Sequence, residues 1–187
     1  MDNKKHQLIT ATQNWLKTVI IDYNICPFAK HELDRGSIHF ETDHSTDVES
    51  AVLNLLTEFE RLNLDSSIET TLVIYESLFS NFEDYLDFLE HAEAILIDQD
   101  YEGTYQLASF HPQYCFEGSS PDDPANYTNR SPYPMLHLLR ETSIEWAVEN
   151  HPNTEDIPQR NIEIMHKLGL RKVQSLLAAC YPFIRDI

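Results

Sequence analysis

The chain has 187 residues, of which 42% are hydrophobic and 24% charged, the usage of an ordinary globular protein. Its 13 Lys and Arg residues against 31 Asp and Glu residues give a net charge of −18, so it would repel phosphate backbones and anionic lipid surfaces. We therefore expect neither nucleic acid nor a membrane as a partner of this acidic protein. Its length fits one domain, which we expect to span residues 1–187.

The cysteine content points to a reducing compartment. Cys26, Cys115 and Cys180 are too few and too scattered for a disulfide framework, which predicts a cytoplasmic protein. Polar residues interrupt the apolar positions near the N-terminus, and no run of about 18 apolar residues occurs. The sequence therefore predicts neither a signal peptide nor a membrane span.

Helical and strand patterns alternate along the first 110 residues. The sequences Thr46–Glu49 and Ser80–Glu83 resemble capping boxes that open helices. The predicted elements, in chain order, are a helix at 7–22, a strand at 37–42, a helix from Thr46, a strand at 71–75, a helix from Ser80 and a strand at 104–110.

This order predicts an α/β (or α+β) fold with a small, three- to four-stranded, at least partly parallel sheet. Its core is strand–helix–strand–helix–strand, preceded by an N-terminal helix and followed by a C-terminal helical segment. The direction of the third strand is left open, because a split, ferredoxin-like unit has the same order of elements.

A long segment without regular periodicity follows His111. Residues 119–134 contain four of the nine prolines, and unstructured loops of more than about 12 residues are usually functional or disordered. Aromatic residues at 114, 116, 127 and 133 favour an ordered loop, since a solvated loop does not need apolar anchors.

Ser131-Pro132 resembles a helix N-cap followed by proline, which predicts a helix from that point. Helical spacing gives this helix a buried stripe of Leu136, Leu139, Trp146 and Ala147. Arg140 falls within the stripe, where its permanent charge requires a carboxylate, carbonyl groups or an anionic ligand.

Two interpretations of residues 111–141 remain open. In one, Arg140 clamps the loop to the helix and the histidines are ordinary polar residues. In the other, the segment forms a binding pocket at a strand end and the start of a helix. The candidate catalytic residues are His111, His137, Glu141 and Asp123, and the candidate substrate-binding residues are Arg130, Arg140, Asn126, Asn129 and Cys26.

Three longer motifs resemble a bacterial family known only as a domain of unknown function, number 1415. They are residues 24–29 (NICPFA), the central region with His111-Pro112, residues 129–134 (NRSPYP) and residues 137–141 (HLLRE), and the closing region 157–169. The resemblance covers nearly the whole chain but implies no activity. It implies that the cysteine turn and the Asn–Arg–Ser–Pro region are fixed points of the family.

The sequence gives little support for a cofactor. Cys26 follows a helix C-terminus, where the dipole disfavours a thiolate, so packing is the simpler role. Zinc would require Cys26 and His137 to join His111 and Cys115 through folding, and no paired ligand spacing is present. With four glycines in the chain, no phosphate loop or dinucleotide fingerprint is present. The remaining histidines, among them His39 and His44, are predicted to be surface residues.

These features leave three functions open. The first is an enzyme or small-molecule-binding protein that holds a small polar or anionic ligand in the 111–141 pocket. The second is a non-catalytic interaction module, or a homodimer, that uses the Tyr- and Pro-rich loop as its contact surface. The third is a structural role in which the loop closes a small core.

Overall fold

The computed structural model describes residues 2–182. Four strands form one sheet: β1 (Ile38–Asp43), β2 (Thr70–Tyr75), β3 (Tyr105–Phe110) and β4 (Met135–Arg140). The helices are α1 (Asp2–Trp15), continued by a π-helical segment (Leu16–Ile21), α2 (Ala29–Arg35), α3 (Val48–Leu64), α4 (Phe82–Asp98), α5 (Glu141–Asn150), α6 (Ile157–Leu168) and α7 (Leu170–Ala178). Short 3-10 helices occur at Pro124–Thr128 and Thr154–Asp156.

The sheet is mixed and has the strand order β1-β2-β4-β3. β1 and β2 are parallel, whereas β4 is antiparallel to both β2 and β3. β3 therefore runs in the same direction as β1 and β2, and β4 lies between β2 and β3. This arrangement confirms the predicted α/β class and answers the open question about the third strand.

Each face of the sheet carries its own core. α3 and α4 cover one face, where Leu55, Phe59, Val73, Phe88 and Leu136 pack together. On the other face the N-terminal helices, α6 and α7 surround Trp15, Ile74, Met135 and Met165. Both cores share one sheet, so the chain is an α/β single domain with helices on both faces.

The prediction that a helix begins at Ser131 is wrong for the residues before Glu141. Residues 135–140 form strand β4, and the helix begins only at Glu141. Leu136 and Leu138 point into the α3–α4 core, while Met135 packs on the opposite face. Because β4 is an interior strand buried on both faces, its apolar residues do not alternate with polar ones. Ser131 does not cap a helix, since its hydroxyl donates to the carbonyl oxygen of Tyr133.

Smaller details of the helices also differ from the prediction. Asp47, not Thr46, caps α3 by accepting from the amide of Ser50, and Asn81, not Ser80, caps α4. Trp146 is 64% exposed, although helical spacing placed it in a buried stripe. Within residues 2–182, no helix has both the length and the apolar character that crossing a bilayer requires.

Candidate functional site

A polar cleft lies between strand β1 and helix α3. Its volume is about 460 Å³, within the range of small-molecule sites. We call it the β1–α3 cleft, and its charged and amide side chains are Glu41, Asp43, His44, Asn54, Glu58 and Arg61. A second, largely apolar space next to Tyr127 holds only about 10 Å³, which is scarcely enough for one water molecule.

The β1 wall of the cleft follows from the alternation of side chains along a strand. His39, Glu41 and Asp43 lie on the face that α3 covers, paired in register with Thr71, Val73 and Tyr75 of β2. On the interior strand β2 this face belongs to the buried core. On the edge strand β1 the same face carries the imidazole of His39 and the carboxylates of Glu41 and Asp43, and the two carboxylates line the cleft.

The α3 wall brings a buried carboxylate against this strand. Glu58 is only 3% exposed, and Arg61, one turn later, grips both of its oxygens through Nε and Nη2 at 3.0–3.3 Å. A charge-assisted, forked pair of this kind fixes the direction of the carboxylate. Arg61 thereby holds Glu58 facing β1.

His39, Glu41 and Glu58 meet at one end of the cleft, which we call the His39 end. The Nε2 atom of His39 lies 3.4 Å from Oε2 of Glu41 and 3.4 Å from Oε2 of Glu58. One ligand-type atom from each of the three residues lies within 4.8 Å of the other two. In the part of the chain that the structure describes, no other group of three His, Cys, Asp or Glu residues converges in this way.

The opposite end of the cleft is built by the last residue of β1. Asp43, 3% exposed, accepts from the amide of Ser45 at 2.7 Å and from Nδ2 of Asn54 at 3.1 Å. His44 is half exposed and bonds to Glu76, which also pairs with Lys4. This Asp43 end lies at the carboxyl edge of the parallel strand pair, where α/β folds commonly bind ligands.

The sequence interpretation missed this site, although one signal was present. In residues 38–43 (IHFETD) the polar residues His39, Glu41 and Asp43 occupy every second position, which is typical of one face of a strand. His39 and His44 were predicted to be ordinary surface residues. The position of Glu58 follows only from the packing of α3 against β1.

Among the residues predicted from sequence, His111 is completely buried. Its Nε2 donates to the carbonyl oxygen of Phe79 at 2.8 Å, and its Nδ1 accepts from the amide of Gln113 at 3.0 Å. Burial holds the pKa of His111 below its usual value. The positive charge of Arg130 lowers this pKa slightly further, whereas the hydrogen bond to Phe79 raises it. Both ring nitrogens are therefore used in main-chain contacts, and the catalytic role of His111 stays a prediction.

The ordered loop that the sequence predicts is present, and its polar residues hold it closed. Arg130 donates to the carbonyl oxygens of Tyr114 and Pro121 and lies over the ring of Tyr127 at 4.7 Å. The side-chain amide of Asn126 accepts from the main-chain amide of Phe116 and donates to the carbonyl oxygen of Ser120. The side-chain amide of Asn129 donates to the carbonyl oxygen of Ser109 on β3. Their predicted role in substrate binding is untested.

The predicted contact surface of this loop is also mostly turned inward. Tyr127 is buried, and Tyr114 and Tyr133 are partly buried, whereas Phe116 lies at the surface. Homo-oligomer formation through the loop stays a prediction.

Asp123 and Glu141 lie in different parts of the molecule. Asp123 caps the 3-10 helix through the amide of Ala125 and also pairs with His166 of α6 at 2.7 Å. These contacts lower the pKa of the Asp123 carboxyl, the bond from Ala125 most strongly. Glu141 begins α5, and its amide donates to the carbonyl oxygen of Thr104.

His137 and Arg140 lie on β4 rather than on a helix. His137 bonds to the hydroxyl of Thr70 at 2.6 Å, and burial lowers its pKa to about 4. Arg140 donates to the carbonyl oxygens of Leu62 and Ile68, and so clamps the connection between α3 and β2. The arginine does act as a clamp, but on a different connection from the 111–134 loop.

The cysteines do not assemble a metal site with the predicted histidines among the residues that the structure describes. Cys26 is half-buried against the second core, and burial raises the pKa of its thiol. Cys115 contacts main-chain oxygens of its own loop, and Cys180 is fully buried. Of the nine predicted site residues, only Arg130 lines either of the two cavities described above.

The fold and the cleft define an α/β protein with a four-stranded mixed sheet and a polar site at its parallel edge. The model of a family described as "Protein of unknown function (DUF1415)" matches residues 7–175, and the chain belongs to that family. This confirms the resemblance carried by the three motifs. No curated protein matches the chain, and no solved structure matches it.

Proposed function

We propose that the protein is an enzyme or small-molecule-binding protein whose ligand is a small polar molecule held in the β1–α3 cleft. One observation carries the proposal: a space of about 460 Å³ is lined by the buried carboxylates of Asp43 and Glu58, by half-buried Glu41, and by the exposed side chains of His44, Asn54 and Arg61. Cavities with a few convergent polar groups are the usual form of a ligand site. This proposal moves the ligand away from residues 111–141.

The charges of the cleft indicate what kind of ligand it would select. Glu41, Asp43 and Glu58 contribute three carboxylates, while Arg61 is the one arginine in the lining and is already paired with Glu58. A ligand with a positive charge or several hydrogen-bond donors therefore suits the cleft better than a purely anionic one. Carboxylate and imidazole groups are also the usual proton-transfer groups, so turnover is worth following together with binding.

The test is a ligand screen read by amide chemical shifts in two-dimensional NMR. The panel contains small amines, amino acids, hydroxylated acids and sugars. We expect ligands that bind to perturb residues 42–45 and residues 54–58, and we expect no coherent change at 112–130. Ligands that perturb only the loop would instead favour the site predicted from sequence.

A pair of variants ties the signal to the cleft. Thr57 lines the cleft and is exposed, so Thr57→Tyr fills the cavity without disturbing the core. Glu60 is exposed on the same helix and does not line the cavity, so Glu60→Tyr is the matched control. We expect the first variant to weaken ligand binding at least about tenfold and the second to leave it unchanged.

A further inference from the structure

We propose that the His39 end of the cleft binds one divalent transition-metal ion, zinc or a similar first-row metal. Its ligands are the Nε2 atom of His39 and one carboxylate oxygen from each of Glu41 and Glu58. The inference rests on the proposed function, since it makes this ion part of what the β1–α3 cleft holds.

The spacing of the three groups fits such an ion. Atoms bound to one metal at about 2.0–2.2 Å in tetrahedral geometry lie roughly 3.3–3.6 Å from one another. The Nε2 atom of His39 lies 3.4 Å from an oxygen of each glutamate. These distances are too long for good hydrogen bonds but match two ligands of a shared ion.

Unpartnered buried atoms provide a second, independent observation. Among the described residues, Nε2 of His39 and the hydroxyl of Thr71 are buried without a hydrogen-bond partner. Thr71 has no exposed surface and lies beside His39 on the same face of the sheet. Leaving such a group unpaired costs about 1–3 kcal/mol, and a bound ion with its water supplies the missing partners.

The surrounding charges also fit an ion. Arg61 donates through Nε to Oε2 of Glu58, the oxygen that faces His39, and through Nη2 to Oε1, and hydrogen-bonded outer groups commonly orient metal ligands in this way. Lys5 is the second cation, 3.8 Å from Glu41 and nearly half exposed. Exposed pairs of this kind contribute little, so a divalent ion would displace Lys5 from Glu41 at small cost.

Three protein ligands leave at least one coordination position free. Structural zinc sites are usually closed by four protein ligands, whereas catalytic sites keep a position for water or substrate. Glu41 and Glu58 both line the cleft, so the free position faces the space toward Asp43 and Asn54. A ligand in the cleft would complete the coordination of the ion.

The experiment is calorimetric titration of metal-stripped, full-length protein with Zn²⁺ and, separately, with Mn²⁺. Mg²⁺ serves as the oxygen-preferring control, because an imidazole ligand favours the transition metals. The acidic surface will take up ions weakly, so we expect one site whose affinity exceeds all others at least about tenfold. Glu41→Gln and Glu58→Gln should each weaken that site at least about tenfold, and Glu60→Gln should leave it unchanged.

A measurement on the unmodified protein guards against misfolded variants. Imidazole nitrogen shifts of His39, recorded with and without Zn²⁺, should move at one equivalent of metal, while those of exposed His91 should not. A strong site that survives both glutamate substitutions, or zinc binding without any change at His39, would overturn the proposal. So would the lack of a site distinct from weak surface binding.

The two proposals fail in distinguishable ways. Metal titration is done without any organic ligand, and the ligand screen is done on metal-stripped protein and then repeated with one equivalent of Zn²⁺. Organic ligands that perturb the cleft without a metal site would remove only the ion. Zinc binding at His39 with no organic ligand in the cleft, with or without zinc, would remove the small-molecule function and leave the metal site.

Discussion

The 111–134 loop and the β1–α3 cleft are both rich in polar side chains, but they use them in opposite ways. In the loop, Arg130, Asn126 and Asn129 bond to main-chain atoms of the loop or of β3. In the cleft, Glu41 and Glu58 line the open space, His39 lies 3.4 Å from an oxygen of each, and Arg61 pairs with Glu58. Polar side chains that bond to main-chain atoms complete the fold, whereas side chains that pair with one another beside an open space can exchange those partners for a ligand.

The largest effect is expected for His111→Ala, which tests whether the polar groups of the loop region serve the fold. The substitution removes a fully buried ring and leaves the Phe79 carbonyl and the Gln113 amide without partners. We expect a loss of about 3–4 kcal/mol in the free energy of unfolding, measured by urea denaturation. His91→Ala, on the exposed side of α4, should change it by less than about 0.5 kcal/mol.

A His111→Ala protein with nearly normal stability but no ligand binding would contradict this assignment. It would return His111 to the catalytic role that the sequence suggested.

The next largest effect is expected for Arg130→Met, which keeps much of the side-chain volume and removes the charge. It frees the Tyr114 and Pro121 carbonyl groups and removes the contact with Tyr127. We expect about 2–3 kcal/mol of destabilisation and faster proteolysis between residues 112 and 123. Arg171→Met, at an exposed position, is the control.

For Arg130→Met, binding in the cleft should stay unchanged after correction for the unfolded fraction. A specific loss of ligand affinity would mean that the loop belongs to the site.

His137, a half-buried residue of β4, predicts a pH dependence that belongs to the fold rather than to the cleft. Burial lowers its pKa to about 4 in the folded protein, whereas the unfolded chain takes up the proton near about 6.5. Its stabilising effect is therefore complete above about pH 6.5 and is lost as the pH falls toward 4. Between about pH 7.5 and about pH 5 this group alone should cost about 2 kcal/mol.

Urea denaturation of wild type and His137→Gln at the two pH values tests this. The variant should lose about 2 kcal/mol less than wild type on acidification, and His91→Gln should follow wild type. Equal losses in wild type and His137→Gln would show that His137 is not held neutral.

Much of the fold could be predicted because its signals are local. Residues 71–75 read as a buried strand, and α3 and α4 have clear helical periodicity. Strand β4 could not be recognised in this way, because the apolar residues 135, 136, 138 and 139 have helical spacing. Residues 135–140 form a strand because they pair with both β2 and β3. The strand also passes directly into α5, with no turn residue to mark its end.

The candidate site was harder to predict than the fold, because whether a polar side chain is free to bind a ligand depends on its contacts in the folded chain. The sequence shows that Arg130 and His111 are polar but not that main-chain atoms occupy them. His39 and Glu41 share a strand face that the sequence reveals. Their meeting with Glu58 depends on how α3 crosses from β1 to β2 and packs against the edge strand.

The smallest effect is expected for Lys5, which tests whether the polar groups of the cleft contribute to folding. Lys5 is nearly half exposed and lies 3.8 Å from Glu41, so Lys5→Gln should change the free energy of unfolding by less than about 1 kcal/mol. The same substitution leaves Glu41 without its cation, so zinc affinity at the His39 end should rise by a factor of about 2–5.

Lys172→Gln makes the same change in net charge at an exposed position of α7, and it should leave zinc affinity as it is. If the two variants raise zinc affinity equally, the gain comes from the overall charge of the protein and not from Glu41. A large loss of stability in Lys5→Gln would show that the cleft, like the loop, uses its polar groups to hold the fold together.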